Sequence, residues 1–151
     1  MNNNHSIHRR NALMAETIYE ISEDSEVANT RRILILEDDN ILASLLKEAL
    51  QTEDYVVTIV ANGAEGLKKI MTSDYNIVLC DMVMPNFPGD MFYAAVERIS
   101  PQLCQRFIFM TGHQGDPKIE GFIRRIRGHM LGKPFQLHAL FDAIKVVNSK
   151  T

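Results

Sequence analysis

A single carboxylate, Asp81, follows the short apolar run NIVLC at residues 76–80. An acid at the exit of a core strand can cap a helix, bind a metal ion or act as a nucleophile. Other reactive side chains follow other apolar runs in the same way, namely an acidic group at 37–39, Thr111 and Lys133. The role of Asp81 therefore depends on whether the fold brings these groups together.

These residue types would together suit one kind of chemistry. Neighbouring carboxylates repel, and two unit charges about 4 Å apart cost about 4 kcal/mol at an effective dielectric of about 20. A divalent cation would offset that repulsion, and carboxylates, waters and a backbone carbonyl are the ligands that Mg²⁺ prefers. A lysine would add positive charge and a threonine a hydroxyl, so the set is suited to holding a phosphoryl group during transfer.

The elements that must position these groups can be read from the apolar pattern. Strand-length runs begin at Arg31, Tyr55, Asn76 and Arg106, and a weaker run surrounds Met130. Five stripes with helical spacing follow the five runs. The stripes consist of Leu42, Leu45, Leu46, Ala49 and Leu50; Ala64, Leu67 and Met71; Phe92, Ala95, Val96 and Ile99; Ile119, Phe122, Ile123 and Ile126; and Leu137, Leu140, Phe141 and Ile144. Alternating strands and helices predict a doubly wound α/β domain, whose parallel sheet is covered on both faces.

Capping residues agree with two of these helices. Asn62 precedes the second helix, and Asp116-Pro117 provides an N-cap and a first-turn proline for the fourth. In a doubly wound sheet, ligands bind outside the carboxyl ends of the strands. We therefore expect the acids, the threonine and the lysine named above to meet at that edge.

The chain divides into an N-terminal extension, residues 1–30, and one domain, residues 31–151. Its 151 residues, 46% hydrophobic and 23% charged, suit one compact domain and a tail. Met14, Ile18 and Ile21 have helical spacing, so the extension is either a tail or a short helix.

Charge and hydropathy limit the compartment and the partners. The formal net charge of −3 indicates no general attraction to nucleic acid or anionic membranes. No apolar run approaches the roughly 20 residues that span a bilayer, and the N-terminus lacks the apolar segment of a secretory signal. We expect a cytoplasmic protein that binds neither membrane nor nucleic acid directly.

Four motifs, ILILEDDN, VLCDMVMPNFPG, FIFMTGH and MLGKPF, stand in this order at the ends of the predicted strands. In order and spacing they resemble the receiver domain of two-component response regulators, over about residues 31–148. The resemblance implies a flavodoxin-like fold, with five parallel strands in the order 2-1-3-4-5 and five helices.

By this resemblance, Asp81 is the phospho-acceptor, which takes a phosphoryl group from a phosphohistidine on a partner protein. Glu37, Asp38 and Asp81 would hold Mg²⁺ (or Mn²⁺), together with the backbone carbonyl of Val83. Asp39 is an alternative to Glu37 in the acidic pair, but the pair is expected directly at the strand exit.

The resemblance also implies roles for Thr111, which would hydrogen-bond a phosphoryl oxygen, and for Lys133, which would pair with the phosphoryl group. The Lys133-Pro134 peptide would be cis. One position departs from the family pattern, because receivers usually carry Phe or Tyr three residues before the lysine and this chain has Met130. A methionine can repack but cannot act as the same aromatic switch.

The function implied is that of a single-domain response regulator, not an enzyme beyond its own phosphorylation and dephosphorylation. Its donor would be a histidine kinase or a histidine phosphotransfer protein. We expect no output domain after the fifth helix, so output would be a contact with a downstream protein. Receivers use the face formed by helix four, strand five and helix five, where a weak dimer could also form. The candidates here for an acidic contact are Lys118, Arg124, Arg125 and Arg127.

Other functions remain as alternatives. The protein could be a phosphate sink or a relay intermediate of a hybrid histidine kinase system, or a receiver-fold binding module that is not phosphorylated. A phosphatase of the haloacid dehalogenase type needs a second acid where Val83 stands. A nucleotide-binding protein needs a glycine-rich loop where EDDN stands, and a transcription factor needs a DNA-binding helix pair or a basic stripe that the sequence lacks.

Overall fold

Residues 31–150 are the part of the chain that the computed structural model describes. The predicted tail or short helix over residues 1–30 lies outside the described residues. Within residues 31–150, no helix is both long enough and apolar enough to cross a membrane.

A five-stranded parallel sheet forms the centre of the domain, in the order β2-β1-β3-β4-β5. The strands are β1 (Arg31–Leu36), β2 (Tyr55–Val60), β3 (Ile77–Asp81), β4 (Phe107–Thr111) and β5 (His129–Gly132). The predicted flavodoxin-like fold and strand order are therefore confirmed. Strand β4 begins one residue later than the sequence predicts, because Arg106 ends a short 3₁₀ helix, Pro101–Arg106.

Five α-helices cover the sheet within the described residues, as the sequence predicts. They are α1 (Asn40–Gln51), α2 (Gly63–Thr72), α3 (Gly89–Ile99), α4 (Pro117–Ile126) and α5 (Leu137–Asn148). Both predicted caps are present. The Asn62 side chain accepts a hydrogen bond from the backbone N–H of Glu65 at 2.9 Å, and that of Asp116 accepts from Lys118 N–H at 2.9 Å. These bonds satisfy N–H groups that the first helical turn leaves free.

Two apolar layers lie on opposite faces of the sheet. Alternate strand residues such as Ile35 and Leu79 pack with α1 and α5, whereas Leu36 and Phe109 pack with α2, α3 and α4. In β3 all five residues are buried, which explains why this run is continuously apolar up to Asp81. A strand covered on both faces is rigid, so it fixes the position of the residue at its end.

Helix α1 differs from its predicted packing. Ala43, Leu46 and Leu50 face the core, but Leu45, predicted within the apolar stripe, is 58% exposed, and Ile41 is 76% exposed. The apolar stripe of α1 is thus wider than the face that the sheet covers. It leaves apolar surface beside the carboxyl edge of the sheet.

Candidate functional site

The register of β1, β3 and β4 brings the predicted acids to one edge of the sheet. Leu36 pairs with Cys80, so the residues that follow them, Glu37 and Asp81, lie side by side. On the other side of β3, Asp81 pairs with Met110. The acidic turn after β1 and Asp81 are therefore neighbours, as expected from the parallel topology.

Three carboxylates form a cluster at this edge. Glu37, Asp38 and Asp81 each place one carboxylate oxygen within 4.8 Å of the others. Glu37 and Asp81 are buried, whereas Asp38 is exposed. The Glu37 Oε2 atom is buried without a hydrogen-bond partner in the described part of the chain. A buried, unpaired carboxylate oxygen beside two further carboxylates is the kind of donor set that a hard divalent cation satisfies. These residues fit a metal ion.

Asp39 has a different function in the fold. It is the N-cap of α1, and its Oδ1 accepts hydrogen bonds from Ile41 N–H at 3.0 Å and from Leu42 N–H at 3.2 Å. Asp39 thus uses its Oδ1 to cap the helix. The acidic cluster contains Glu37 and Asp38 but not Asp39. Of the two pairings considered from the sequence, the geometry favours the one at the strand exit.

Lys133 joins the cluster from the end of β5. Its Nζ donates to Glu37 Oε1 and, at 3.0 Å, to Asp81 Oδ2. The Lys133-Pro134 peptide is cis, as predicted. Burial lowers the pKa of Lys133, but its hydrogen bonds to Glu37 and Asp81 outweigh burial, and the net pKa is raised. The lysine is therefore an ammonium group that bridges two buried carboxylates.

The same contacts govern the protonation of Glu37. Burial raises its pKa to about 7; the hydrogen bond from Lys133 opposes this rise, and neighbouring Asp81 adds to it. In the metal-free protein near neutral pH, Glu37 is thus only partly ionised. Added positive charge at the cluster would favour the ionised form.

The Asp81 carboxylate is held at both of its oxygens. The backbone N–H of Val83 donates to Oδ1 at 3.0 Å, while Lys133 contacts Oδ2. This pair of donors fixes the orientation of the Asp81 carboxylate, which is buried with 7% of its side chain exposed. The predicted role of the Val83 carbonyl as a metal ligand stays a prediction.

Thr111 lies at the end of β4, beside the lysine. It pairs with Gly132 across the strands, and its carbonyl accepts from Lys133 N–H at 2.7 Å. The Thr111 side chain is fully buried, and its Oγ1 accepts from His113 N–H at 3.0 Å. Because Oγ1 is the acceptor in this bond, the hydroxyl proton remains available for another acceptor. No local pattern in the sequence predicts this contact with His113.

The loop that follows Asp81 requires a glycine at position 89, where it packs against the chain at Asp81. Asn86 has a left-handed backbone with φ 66°, and Gly89 N–H donates to the Met82 carbonyl at 3.0 Å where the loop enters α3. A Cβ at Gly89 would lie 2.8 Å from the Asp81 carbonyl oxygen and 2.9 Å from Met82 Cα. Only glycine permits this close approach to the backbone of Asp81 and Met82. The motif MPNFPG indicated a loop, but not this contact.

The residues predicted to form an output face are exposed, and both that role and its partner stay predictions. Lys118 and the arginines at 124, 125 and 127 are exposed on and after α4. The Arg125 guanidinium lies 5.6 Å from the centre of the Phe122 ring. Met130 is half-buried in β5 and pairs with Phe109. A flexible side chain thus occupies the position where receivers usually carry Phe or Tyr.

Comparison with known proteins agrees with this geometry. Residues 33–145, most of the chain, match the response regulator receiver domain family. The response regulator receiver protein CpdR of Brucella abortus is 30% identical over 115 residues, which cover 76% of this chain and 94% of CpdR. The sensor kinase CckA of the same organism is 25% identical over 132 residues, or 86% of this chain and 14% of CckA.

Solved structures resemble this one over most of its length. The non-phosphorylated HemR receiver domain of Leptospira biflexa aligns with a TM-score of 0.72 at 24% identity, covering 81% of this chain and 97% of that domain. TrrA of Thermotoga maritima, in complex with Mg²⁺ and BeF, aligns with a TM-score of 0.69 at 25% identity, covering 78% and 99%. By fold, site and family match, the chain belongs to the response regulator receiver domain family of two-component signalling.

Proposed function

We propose that this chain is a response regulator that accepts a phosphoryl group on Asp81 from a phosphohistidine. The observation that carries the proposal is the Asp81 carboxylate itself, oriented by Val83 N–H and Lys133 within the cluster of Glu37 and Asp38. An Asp81 oxygen attacks phosphorus, and a P–O bond forms as the P–N bond breaks. The imidazole nitrogen of the donor keeps the bonding electron pair.

Each residue of the site has a task in that transfer. Glu37, Asp38 and Asp81 would hold Mg²⁺, with the Val83 carbonyl as the predicted fourth protein ligand. When bound, the ion supplies positive charge that offsets the repulsion between the carboxylates and the phosphoryl oxygens. Lys133, 3.0 Å from Asp81 Oδ2, stands where it can pair with a phosphoryl oxygen. The free hydroxyl proton of Thr111 would hydrogen-bond another.

The protein would act on no substrate other than its own aspartate, so it is not an enzyme in the usual sense. The match to the sensor kinase CckA favours one second candidate, an intermediate of a phosphorelay. The two differ in reversibility, because a relay intermediate must return its phosphoryl group to histidine. Incubating the phosphorylated protein with a histidine phosphotransfer protein would distinguish the two functions, because only a relay intermediate should return its phosphoryl group to histidine.

Exchanging Asp38 for Asn tests the metal site, and Asp39→Asn is its matched control. We expect Asp38→Asn to raise the Mg²⁺ concentration needed for half-maximal phosphorylation by acetyl phosphate by about tenfold or more, because it removes one ligand charge. Asp39→Asn should leave that concentration nearly unchanged, because asparagine caps helices as well as aspartate does. Equal effects of the two exchanges would contradict the proposed ligand set.

A groove beside the site suggests where the donor binds. Its volume is about 500 Å³ and it lies between α1 and the loop that precedes α5. It is lined by Asp39, Leu42, Leu45, Leu46, Lys133, Pro134, Phe135 and Leu137. Leu45, one of these residues, is 58% exposed. An apolar surface that reaches Lys133 suits a helix that presents a phosphohistidine to Asp81, and we propose that this helix is the occupant.

Replacing Leu45 with aspartate should therefore slow phosphorylation by a protein donor but not by a small-molecule donor. We expect transfer from a phosphorylated histidine phosphotransfer protein to slow by about tenfold, the effect of losing one moderate interface contact. Phosphorylation by acetyl phosphate, which needs no docking surface, should stay at the wild-type rate. Met71→Asp is the control, because Met71 is 70% exposed on α2 and does not line the groove. A similar loss for Met71→Asp would argue against docking on α1.

A further inference from the structure

The side chain of Gln114 lies directly against Gly132. A Cβ at Gly132 would overlap the end of the Gln114 side chain, and even Gln114 Cγ would be only 2.9 Å away. The three heavy atoms nearest to that Cβ all belong to Gln114. Gln114 is exposed, so this contact lies at the surface. We call the space over Gly132 that the Gln114 side chain fills its seat. Any larger residue in place of Gly132 would occupy that seat.

The seat lies close to the reacting groups. Gly132 pairs with Thr111 across the strands and directly precedes Lys133 in the chain. Gln114 belongs to the loop between β4 and α4, which follows Thr111 and turns at Gly115 with φ 87°. The loop is thus attached at two points, at Gln114 against β5 and at His113, whose N–H donates to Thr111 Oγ1.

We propose that Gln114 is a positioning residue for phosphoryl transfer, seated on Gly132 to hold the loop that orients the Thr111 hydroxyl. The inference rests on the proposed function. Gln114 need not touch the phosphoryl group. Its seat restricts the loop, the loop keeps His113 N–H on Thr111 Oγ1, and that bond leaves the hydroxyl proton free to meet a phosphoryl oxygen. A loop without the seat would sample more conformations and would present that hydroxyl less often.

Two exchanges remove the seat in opposite ways. Gln114→Ala removes the side chain, and Gly132→Ala fills the space it occupies. Gly132→Ala should still fold, because the overlapping atoms are the end of a flexible, exposed side chain. We expect each exchange to slow phosphorylation by acetyl phosphate by about threefold to tenfold, the rate equivalent of one hydrogen bond. The Mg²⁺ concentration for half-maximal rate should not change, because the carboxylate cluster is untouched.

The double variant Gln114→Ala, Gly132→Ala separates this mechanism from a direct effect on Lys133. If the methyl group acts only by displacing Gln114, the double variant should be no slower than either single variant. Hydrogen exchange of the His113 amide should be faster in all three variants, even without phosphorylation. Gln102→Ala, an exposed glutamine in the 3₁₀ helix, is the control and should match the wild type.

Each contrary result has a distinct meaning. A wild type that takes up no phosphoryl group would contradict the proposed function. Hydrogen exchange of the His113 amide would then test only whether the Gln114 seat holds the loop. A wild type that reacts while the single variants react equally fast would overturn the role of Gln114. Additive losses in the double variant, or a changed Mg²⁺ requirement, would overturn it as well, because either would place the effect at Lys133 or at the metal cluster.

Discussion

Replacing Lys133 with methionine should lower the free energy of unfolding of the metal-free protein by about 2 to 4 kcal/mol near pH 8. Lys133 is the cation that contacts both buried carboxylates, Glu37 and Asp81. Without it, the buried Asp81 carboxylate loses its ion pair, and Glu37 must either remain buried as an uncompensated charge or take up a proton. We place the loss somewhat below that of a fully buried pair because the Lys133 side chain is 22% exposed. Urea unfolding monitored by circular dichroism would measure it.

The effect of Lys133→Met should depend on pH and on Mg²⁺. Burial raises the pKa of Glu37 from its ordinary value of 4.5 to about 7 in the folded protein. Between these pH values the folded chain holds a proton that the unfolded chain has released, so the stability of the metal-free wild type falls as pH rises through that window. At about pH 5 the Glu37 carboxyl is largely neutral, and the loss caused by Lys133→Met should be smaller than near pH 8. Saturating Mg²⁺ should reduce the loss near pH 8 by supplying the missing charge.

Lys145→Met is the matched control for this prediction. Lys145 is exposed on the last turn of α5, and its exchange should change stability by less than about 0.5 kcal/mol. If Lys133→Met were as mild as Lys145→Met near pH 8, then the bridge between Glu37 and Asp81 would not support the fold as described.

Replacing Gly89 with alanine should destabilise the protein by about 1 to 3 kcal/mol, the usual cost of forcing a methyl group into a packed region. The new Cβ would collide with the Asp81 carbonyl oxygen and with Met82 Cα. These are backbone atoms, so relief of the collision requires a shift of the chain at Asp81, the proposed acceptor. We therefore expect phosphorylation by acetyl phosphate to slow by about tenfold or more, because misplacing a reacting group by about 1 Å can cost that much or more.

Gly121→Ala is the opposite case and serves as the control. Gly121 is inside α4, and a Cβ there would meet no atom within 4 Å. Alanine is the better helix former, so this exchange should stabilise the protein by about 0.5 to 1 kcal/mol. Its phosphorylation rate should stay unchanged. Thermal unfolding of both variants would show shifts of opposite sign, and a mild, stabilising Gly89→Ala would contradict the tight approach of Gly89 to Asp81.

Much of the fold could be predicted because buried parallel strands leave a local signature. The runs at Arg31 and Tyr55 match β1 and β2 residue for residue. The run of β3 is apolar up to Asp81 because that strand is covered on both faces. The meeting of Glu37, Asp81 and Lys133 also followed from topology alone, because parallel strands end at one edge.

The details that escaped prediction depend on contacts between distant segments. Leu45 fits the helical stripe, yet it is 58% exposed. The contact of Gln114 with Gly132 joins a loop to the end of β5, and no local pattern relates the two residues.

Intact mass after incubation with acetyl phosphate and Mg²⁺ tests the central claim most directly, for the wild type and for Asp81→Asn. We predict one phosphoryl adduct on the wild type, which is absent with EDTA and absent in Asp81→Asn. An adduct that persists in Asp81→Asn would place the acceptor elsewhere. No adduct on the wild type under any condition would mean that the chain has the receiver fold without its chemistry, and a binding module would then be the better description.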